Sequence, residues 1–168
     1  MTDVDFPRSA DDVRLMPGAV EAIRRLNDAR WPVIVVTNQS GIARGLLTHE
    51  DYDAVRNRME ALLSTDGARI DASYMCPHHP DFTGACECRK PGTLLFRRAA
   101  TDHDLDTGAS WFVGNRLRDV SPARTLGGHG VLVPSASTPE AEVASARREF
   151  AVARSLDDAV TLVIESRR

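Results

Sequence analysis

All three cysteines of this chain fall between Cys76 and Cys88, arranged as Cys76-x-His78 and, beyond a seven-residue loop, Cys86-x-Cys88. Four soft or borderline ligands in two tight pairs are the set that tetrahedral zinc prefers, and clustered cysteines in a reducing compartment point to a metal rather than to disulfides. His79 carries the same donor chemistry one residue on and stands as an alternative to His78. Protein ligands at all four positions make such a zinc structural, a pin for the loop that runs on into Arg89 and Lys90.

Three further clusters follow apolar runs. Val35-Val36 leads directly into Thr37, Asn38, Gln39, Ser40 and Gly41, hydroxyls and amides beside a glycine whose backbone can approach an anion, with Arg44 in the same loop as a second anion contact. Cys88-Arg89-Lys90-Pro91-Gly92 sets two adjacent cations just ahead of a predicted helix, whose first N–H groups are unpaired and attract anions. Trp111-Phe112-Val113 leads into Gly114, the amide of Asn115 and, four residues later, the carboxylate of Asp119, oxygen ligands suited to a hard cation. Taken singly, each cluster has an ordinary alternative in helix caps and solvated surface charge.

Positioning these residues falls to an alternation of helices and strands. Pro17 opens a stretch with Val20, Ile23 and Leu26 at helical spacing, which closes near Ala29 and is followed by an apolar strand from Pro32 to Val36. Thr48 with Asp51 three residues on has the form of a capping box, and Tyr52, Val55, Met59 and Leu62 mark one face of the helix behind it. A strand is expected from Ile70 to Met75, a helix over Thr93 to Ala100 and a strand over Ser110 to Val113. A short helix over Pro122 to Leu126 and a strand over Val131 to Val133 follow. Ser137 or Thr138 is expected to cap a helix running to Arg148, and Ser155 with Asp158 a last helix from Leu156 to Glu165. Strands alternating with helices imply right-handed crossovers and an α/β fold, a doubly wound parallel sheet. Such sheets bind ligands at the carboxyl ends of their strands, where the three clusters lie.

The 168 residues, 42% hydrophobic and 27% charged, suit a single domain spanning the whole chain. Its 21 basic and 24 acidic residues are mixed along the sequence and leave a net charge of −3, without the basic stripe that nucleic-acid binding needs. No apolar run reaches membrane length, and Met1 to Ala10 has no signal-peptide core. A cytoplasmic monomer is expected, with a small polar ligand as its partner and neither nucleic acid nor membrane.

In order and spacing, Thr37-Asn38, then Lys90-Pro91, then Gly114 to Asp119 resemble motifs two, three and four of the haloacid dehalogenase (HAD) superfamily phosphatases. The strings Val35 to Gly45 and Cys76 to Pro91 resemble the branch with an inserted zinc loop, which includes heptose bisphosphate and histidinol phosphate phosphatases, and the likeness runs from Asp3 onward. The resemblance implies a HAD-like, Rossmann-type fold without a cap domain. It implies hydrolysis, through an aspartyl phosphate, of a small sugar bisphosphate such as D-glycero-D-manno-heptose 1,7-bisphosphate, or alternatively of histidinol phosphate. By position, the Thr37 hydroxyl would hold the transferring phosphoryl group, Lys90 would neutralise its charge, and Asn38, Gln39 and Ser40 would line the substrate site. Arg89 and Arg116 would contact the substrate. The same resemblance places Asn115 and Asp119 in the Mg2+ motif, favours His78 over His79 for Zn2+, and sets Asp3 in the substrate loop after the first motif.

That first motif, Asp-x-Asp-Gly-Thr after an apolar strand, supplies the nucleophile and the acid of the reaction. Asp3-Val-Asp5 lacks the Gly-Thr and the preceding strand, and matching outward from Thr37 puts the motif upstream of Met1. The expectation is an N-terminally incomplete domain that lacks its central strand and does not turn over as it stands. The competing expectation is a zinc-stabilised domain that binds a phosphosugar or a partner chain and catalyses nothing. Asn115, where the family has aspartate, supports it, since an amide brings no charge to magnesium.

Overall fold

The computed structural model describes residues 7 and 9–166, so Asp3 and Asp5 lie outside the described residues. A 3-10 turn, Ala10–Asp12, precedes α1 (Ala19–Asp28), β1 (Ile34–Asn38), α2 (Ser40–Ala43), α3 (His49–Thr65), β2 (Ala72–Cys76), α4 (Pro80–Thr83) and α5 (Leu94–Asp102). The second half runs β3 (Trp111–Gly114), α6 (Leu117–Val120), α7 (Pro122–Leu126), β4 (His129–Leu132), α8 (Glu140–Ala146), β5 (Ala151–Val152) and α9 (Leu156–Glu165).

Local chemistry accounts for most boundaries. The Thr48 hydroxyl accepts from Asp51 N at 3.0 Å and the Asp51 carboxylate accepts from Thr48 N at 2.8 Å, closing the capping box of α3. Ser155 starts α9 with the hydroxyl half of such a cap, accepting from Asp158 N at 3.0 Å. The expected hydroxyl cap of α8 is absent. Thr138 Oγ1 instead accepts from Ser135 N at 2.8 Å and donates to the Asn115 carbonyl at 2.7 Å, so Pro139 stands at the helix start. α8 also stops at Ala146, short of Arg148. β1 runs two residues past the apolar stretch because Thr37 and Asn38 continue its ladder, opposite Met75 and Cys76.

Every strand pairing is parallel. The expected single sheet is, among the described residues, two sheets: β1 with β2, and β3–β4–β5. Among the described residues the outer edges of β1 and β3 carry no strand partner, and Val113 on β3 stays 37% exposed, unusual for an apolar side chain of a parallel strand. Helices join the two sheets from both faces. On one face α5 sets Leu95 against Cys76 and Val36, and its Phe96 meets Phe112 of β3 edge-on, ring centroids 5.2 Å apart. On the other, α9 packs Ala159 on Val131, and Arg25 of α1 reaches Asp157 and Thr161 of α9. Phe112 lies level with Gly130, next to Val131, so these two contacts fall on opposite faces of the sheet. The arrangement is the doubly wound α/β class.

Thr48→Ala is expected to lower stability by about 1 kcal/mol, the usual worth of such a cap. The measurement is a urea unfolding curve with an unchanged slope and a lower midpoint. A midpoint equal to that of the parent would remove the capping box from the account of α3.

Candidate functional site

β1 delivers Thr37 and Asn38 as its last two residues. Asn38 closes on the backbone of Lys90: Lys90 N donates to Asn38 Oδ1 at 2.9 Å, and Asn38 Nδ2 donates to the Lys90 carbonyl at 3.2 Å. The Lys90 ammonium donates to the Val36 carbonyl at 2.6 Å and pairs with Asp119 Oδ1 at 2.8 Å. Successive residues of a parallel strand turn their backbone groups to opposite sides. Since Asp71 N donates to Val33 O and Gln39 N to Cys76 O on the β2 side, Val36 turns its carbonyl to the unpaired edge of β1. Lys90 therefore reaches from that edge to α6, with its side chain only 13% exposed and that of Asp119 11% exposed. It is also the sole lysine among 21 basic residues, a compositional signal that motif reading passed over. A compact ammonium with three donors suits a place between a carbonyl and a carboxylate better than a planar guanidinium does.

Asp119 has both oxygens engaged, because its Oδ2 accepts from Arg116 N at 3.0 Å and closes the start of α6. Gly114 makes that approach possible, since a Cβ there would lie 2.3 Å from Asp119 Cβ. Asn115 is exposed, and its Nδ2 donates to Ser135 Oγ at 3.0 Å, which leaves the amide oxygen as its ligand atom. One charged and one neutral oxygen ligand is a lean set. Magnesium nonetheless binds through one or two carboxylates together with waters and substrate phosphate, so the pair fits a magnesium site completed by phosphate.

The remaining expected contacts divide. Arg116 is folded onto Glu142, with Nη2 donating to Oε1 at 2.6 Å and Nε to both carboxylate oxygens at 3.1 Å, while Leu117 N donates to Glu142 Oε2 at 2.6 Å. Glu142 went unseen in the sequence, because nothing local marks a partner 26 residues away. Arg89 Nη1 donates to the His78 carbonyl at 3.1 Å and so braces the cysteine loop. Gln39 Oε1 is buried without a hydrogen-bond partner among the described residues, next to the Asn38 clasp. Ser40 is buried at the start of α2, and Arg44 stands at its C-terminal end.

The cysteine loop adjoins this network through Cys88, two residues before Lys90. The ligand atoms of Cys76, His78, Cys86 and Cys88 all lie within 4.8 Å of one another and could hold a metal ion. Cys76 Sγ is 2.9 Å from Cys88 Sγ and 3.7 Å from Cys86 Sγ, and His78 Nδ1 is 3.1 Å from Cys88 Sγ. Tetrahedral bonds of about 2.3 Å to sulfur set sulfurs roughly 3.7 Å apart, so a slight outward movement of Cys88 would complete the geometry. All three cysteines are free thiols. His79 Nδ1 accepts from Asp81 N at 3.3 Å to cap α4, and the cluster that could hold a metal contains His78 and not His79. Burial, together with hydrogen bonds among the thiols, pushes Cys88 up to about 12, and burial raises Cys76 as well. At Cys86 burial also pushes upward, but hydrogen bonds from Cys88 and from the Arg89 backbone outweigh it and hold the thiol below its ordinary value. Buried thiols this close shed their protons together only when a cation compensates, which is what a bound metal supplies. Gly92 closes the loop. Its N donates to the Arg89 carbonyl at 2.7 Å, and a Cβ would lie 2.2 Å from the Glu87 carbonyl oxygen.

A HAD-hydrolase-like family model matches residues 87–159. The chain is 40% identical over 122 residues to the D-glycero-beta-D-manno-heptose-1,7-bisphosphate 7-phosphatase of Bordetella bronchiseptica, across 73% of this chain and 67% of that protein. It is 39% identical over 140 residues to the D-glycero-D-manno-heptose-1,7-bisphosphate 7-phosphatase of Thermosynechococcus vestitus, across 78% of this chain and 71% of that one. Among solved structures, the D,D-heptose 1,7-bisphosphate phosphatase from B. bronchiseptica, complexed with magnesium and phosphate, superposes with a TM-score of 0.85. That match has 33% identity and covers 98% of this chain and 92% of that chain.

The Arg116 guanidinium, helped by the Leu117 N–H, holds the Glu142 carboxyl below its ordinary value of 4.5 against the opposing effect of burial. A depressed carboxyl pKa contributes stability that is present above about pH 4.5 and is lost as pH falls through the lower folded value. Glu142→Gln is therefore expected to be less stable at pH 7 by about 1–3 kcal/mol, since a charged partner is removed from Arg116. The difference should shrink as the pH is lowered below 4.5. Parallel stability–pH curves for parent and variant would exclude this role for Glu142.

Proposed function

The chain belongs to the D-glycero-D-manno-heptose-1,7-bisphosphate 7-phosphatase family of the HAD-like hydrolases, and on that premise we propose that its site receives one phosphate of a small sugar bisphosphate at Thr37, Lys90 and Asp119. The observation that carries this reading is the Lys90 ammonium, held 2.8 Å from Asp119 at the carboxyl end of β1. Its third N–H is available to a phosphoryl oxygen, and the Thr37 hydroxyl donates to another. Asp119 and the Asn115 amide oxygen hold Mg2+, which when bound neutralises and aligns the phosphate oxygens. The buried Gln39 Oε1 accepts from a sugar hydroxyl, and Ser40 closes that side of the site. Arg89, Arg116 and Arg44 face the outer part of the substrate, each after exchanging its protein contacts for it. Zn2+ on Cys76, His78, Cys86 and Cys88 fixes the loop that carries Arg89 and Lys90. A monomer of one domain in the cytoplasm, where cysteines remain thiols, completes the reading.

The family chemistry needs a carboxylate in line with phosphorus. Asp119 does not fill that role, because one oxygen pairs with Lys90 and the other with Arg116 N. The 168 residues contain no Asp-x-Asp-Gly-Thr. A strand ending in that sequence and lying along the unpaired edges of β1 and β3 would bring the nucleophile beside Thr37 and Lys90. A second reading, a domain that binds phosphosugar without turnover, is favoured by the engaged Asp119 and the uncharged Asn115.

Elemental analysis is expected to find one zinc per chain in metal-replete protein, and Cys86→Ser should lower it sharply. Less than about half an equivalent in the parent would rule out the tetrahedral site.

Assayed with magnesium and heptose bisphosphate, the chain as it stands is expected to turn over at least on the order of a thousandfold more slowly than the same chain preceded by an apolar strand ending in Asp-x-Asp-Gly-Thr. In that extended protein Lys90→Ala should abolish the gain. Family-like turnover by the unextended chain would show that another carboxylate serves as nucleophile.

A further inference from the structure

We propose that Asn38 is the positioning residue for Lys90, acting on a bound phosphate through the lysine and not by touching it. The inference rests on the phosphate-site reading above and adds to it the device that aims the cation. Both ends of the Asn38 amide are taken by one residue: Oδ1 accepts from Lys90 N at 2.9 Å and Nδ2 donates to Lys90 O at 3.2 Å. A side-chain amide is the group that can meet the N–H and the C=O of a single residue together, because it carries an acceptor and a donor side by side. A carboxylate would confront the Lys90 carbonyl with a second acceptor, and a hydroxyl has no second arm.

The clasp gains its meaning from what holds the other end of the lysine. The ammonium donates to the carbonyl of Val36, two residues before Asn38 on the same strand. β1 thus fixes the root of Lys90 through a side chain and its tip through a backbone oxygen, and the four-carbon stem is stretched between two points of one rigid element. Neither Cys88 nor Gly92 substitutes for this. They fix the loop on either side of Lys90 but contribute no contact to its backbone N–H or carbonyl among the described residues. Without Asn38 the lysine would swing about these two anchors, and its charge would lose its aim at Asp119 and at the place of the phosphate.

The test uses the fact that Lys90 is the only lysine, so an amine-acylating reagent reads Lys90 and the chain terminus alone. In zinc-loaded protein, Asn38→Ala is expected to raise the Lys90 acylation rate roughly tenfold, the factor expected when two hydrogen bonds no longer oppose its release. Zinc content should stay that of the parent. An unchanged acylation rate in folded, zinc-loaded variant overturns the proposal. Should the alanine variant lose its zinc, Asn38→Asp, equal in size but without the Nδ2 donor, takes its place under the same criterion. A second arm titrates inorganic phosphate, with magnesium, into the parent, Asn38→Ala, Lys90→Ala and the double variant. Removing a positioning residue weakens phosphate binding when Lys90 is present and has no further effect once Lys90 is gone, whereas additive losses place Asn38 in direct contact with the anion and refute the proposal. Failure of the parent to bind phosphate would count against the phosphate-site reading alone, since acylation still decides whether Asn38 holds Lys90.

Discussion

The ammonium of Lys90 sits between the Val36 carbonyl and the Asp119 carboxylate, and most of the site is arranged around keeping it there. A cation so little exposed calls for a counter-charge beside it. Asp119 compensates it, and to do so must lie against the end of β3, which only a glycine at 114 permits. Asp119 in turn closes the first turn of α6 through Arg116 N, while Glu142 closes the same turn from α8 through Leu117 N. A charge on one loop thereby bears on where one helix, α6, begins. Because Asn115 is neutral, the Lys90–Asp119 pair leaves the carboxyl end of β3 without surplus negative charge.

The cysteine–histidine cluster and this network share a rung of the sheet, for Cys76 lies level with Asn38 in the β1–β2 register. The stretch from Cys86 to Lys90 holds two thiols, a guanidinium and the ammonium within five residues. Arg89 turns back to the His78 carbonyl while Lys90 turns forward to β1, so neighbouring cations serve opposite sides of the loop. A metal that organises the thiols also fixes the starting point from which Lys90 must reach.

Much of this was legible in the sequence where the signal was local. The caps of α3 and α9 and the short α7 beginning at Pro122 follow from a few adjacent residues, and the cysteine ligands lie close enough along the chain to be read as a set. Choosing between His78 and His79 needed α4, a helix of four residues, too short to show any periodicity. The same brevity hid α2 and α6. Strand ends were misplaced where backbone pairing outlasts apolarity, as at Thr37 and Asn38, and α8 lost its predicted cap because Thr138 found better partners across the chain at Asn115 and Ser135. Asn38 stands in the sequence as a substrate-site candidate by resemblance alone, with no sign of a partner at Lys90. Its engagement with Lys90 spans 52 positions and depends on the path of the chain between them, which no spacing rule encodes.

No backbone hydrogen bond joins β1 to β3 among the described residues, so the two sheets are coupled only through side chains. Cooperative unfolding units tend to follow continuous backbone ladders, and here the ladder is interrupted between the strands that carry Thr37 and Gly114. Two opening equilibria are therefore expected for amide exchange in β1–β2 and in β3–β4–β5, tied together by Leu95 and Phe96 of α5, by the contact of Arg25 with α9 and by the Lys90–Asp119 pair. A ligand gripping both Lys90 and Asp119 would merge the two into one, making slowed exchange across both sheets the thermodynamic signature of an occupied site.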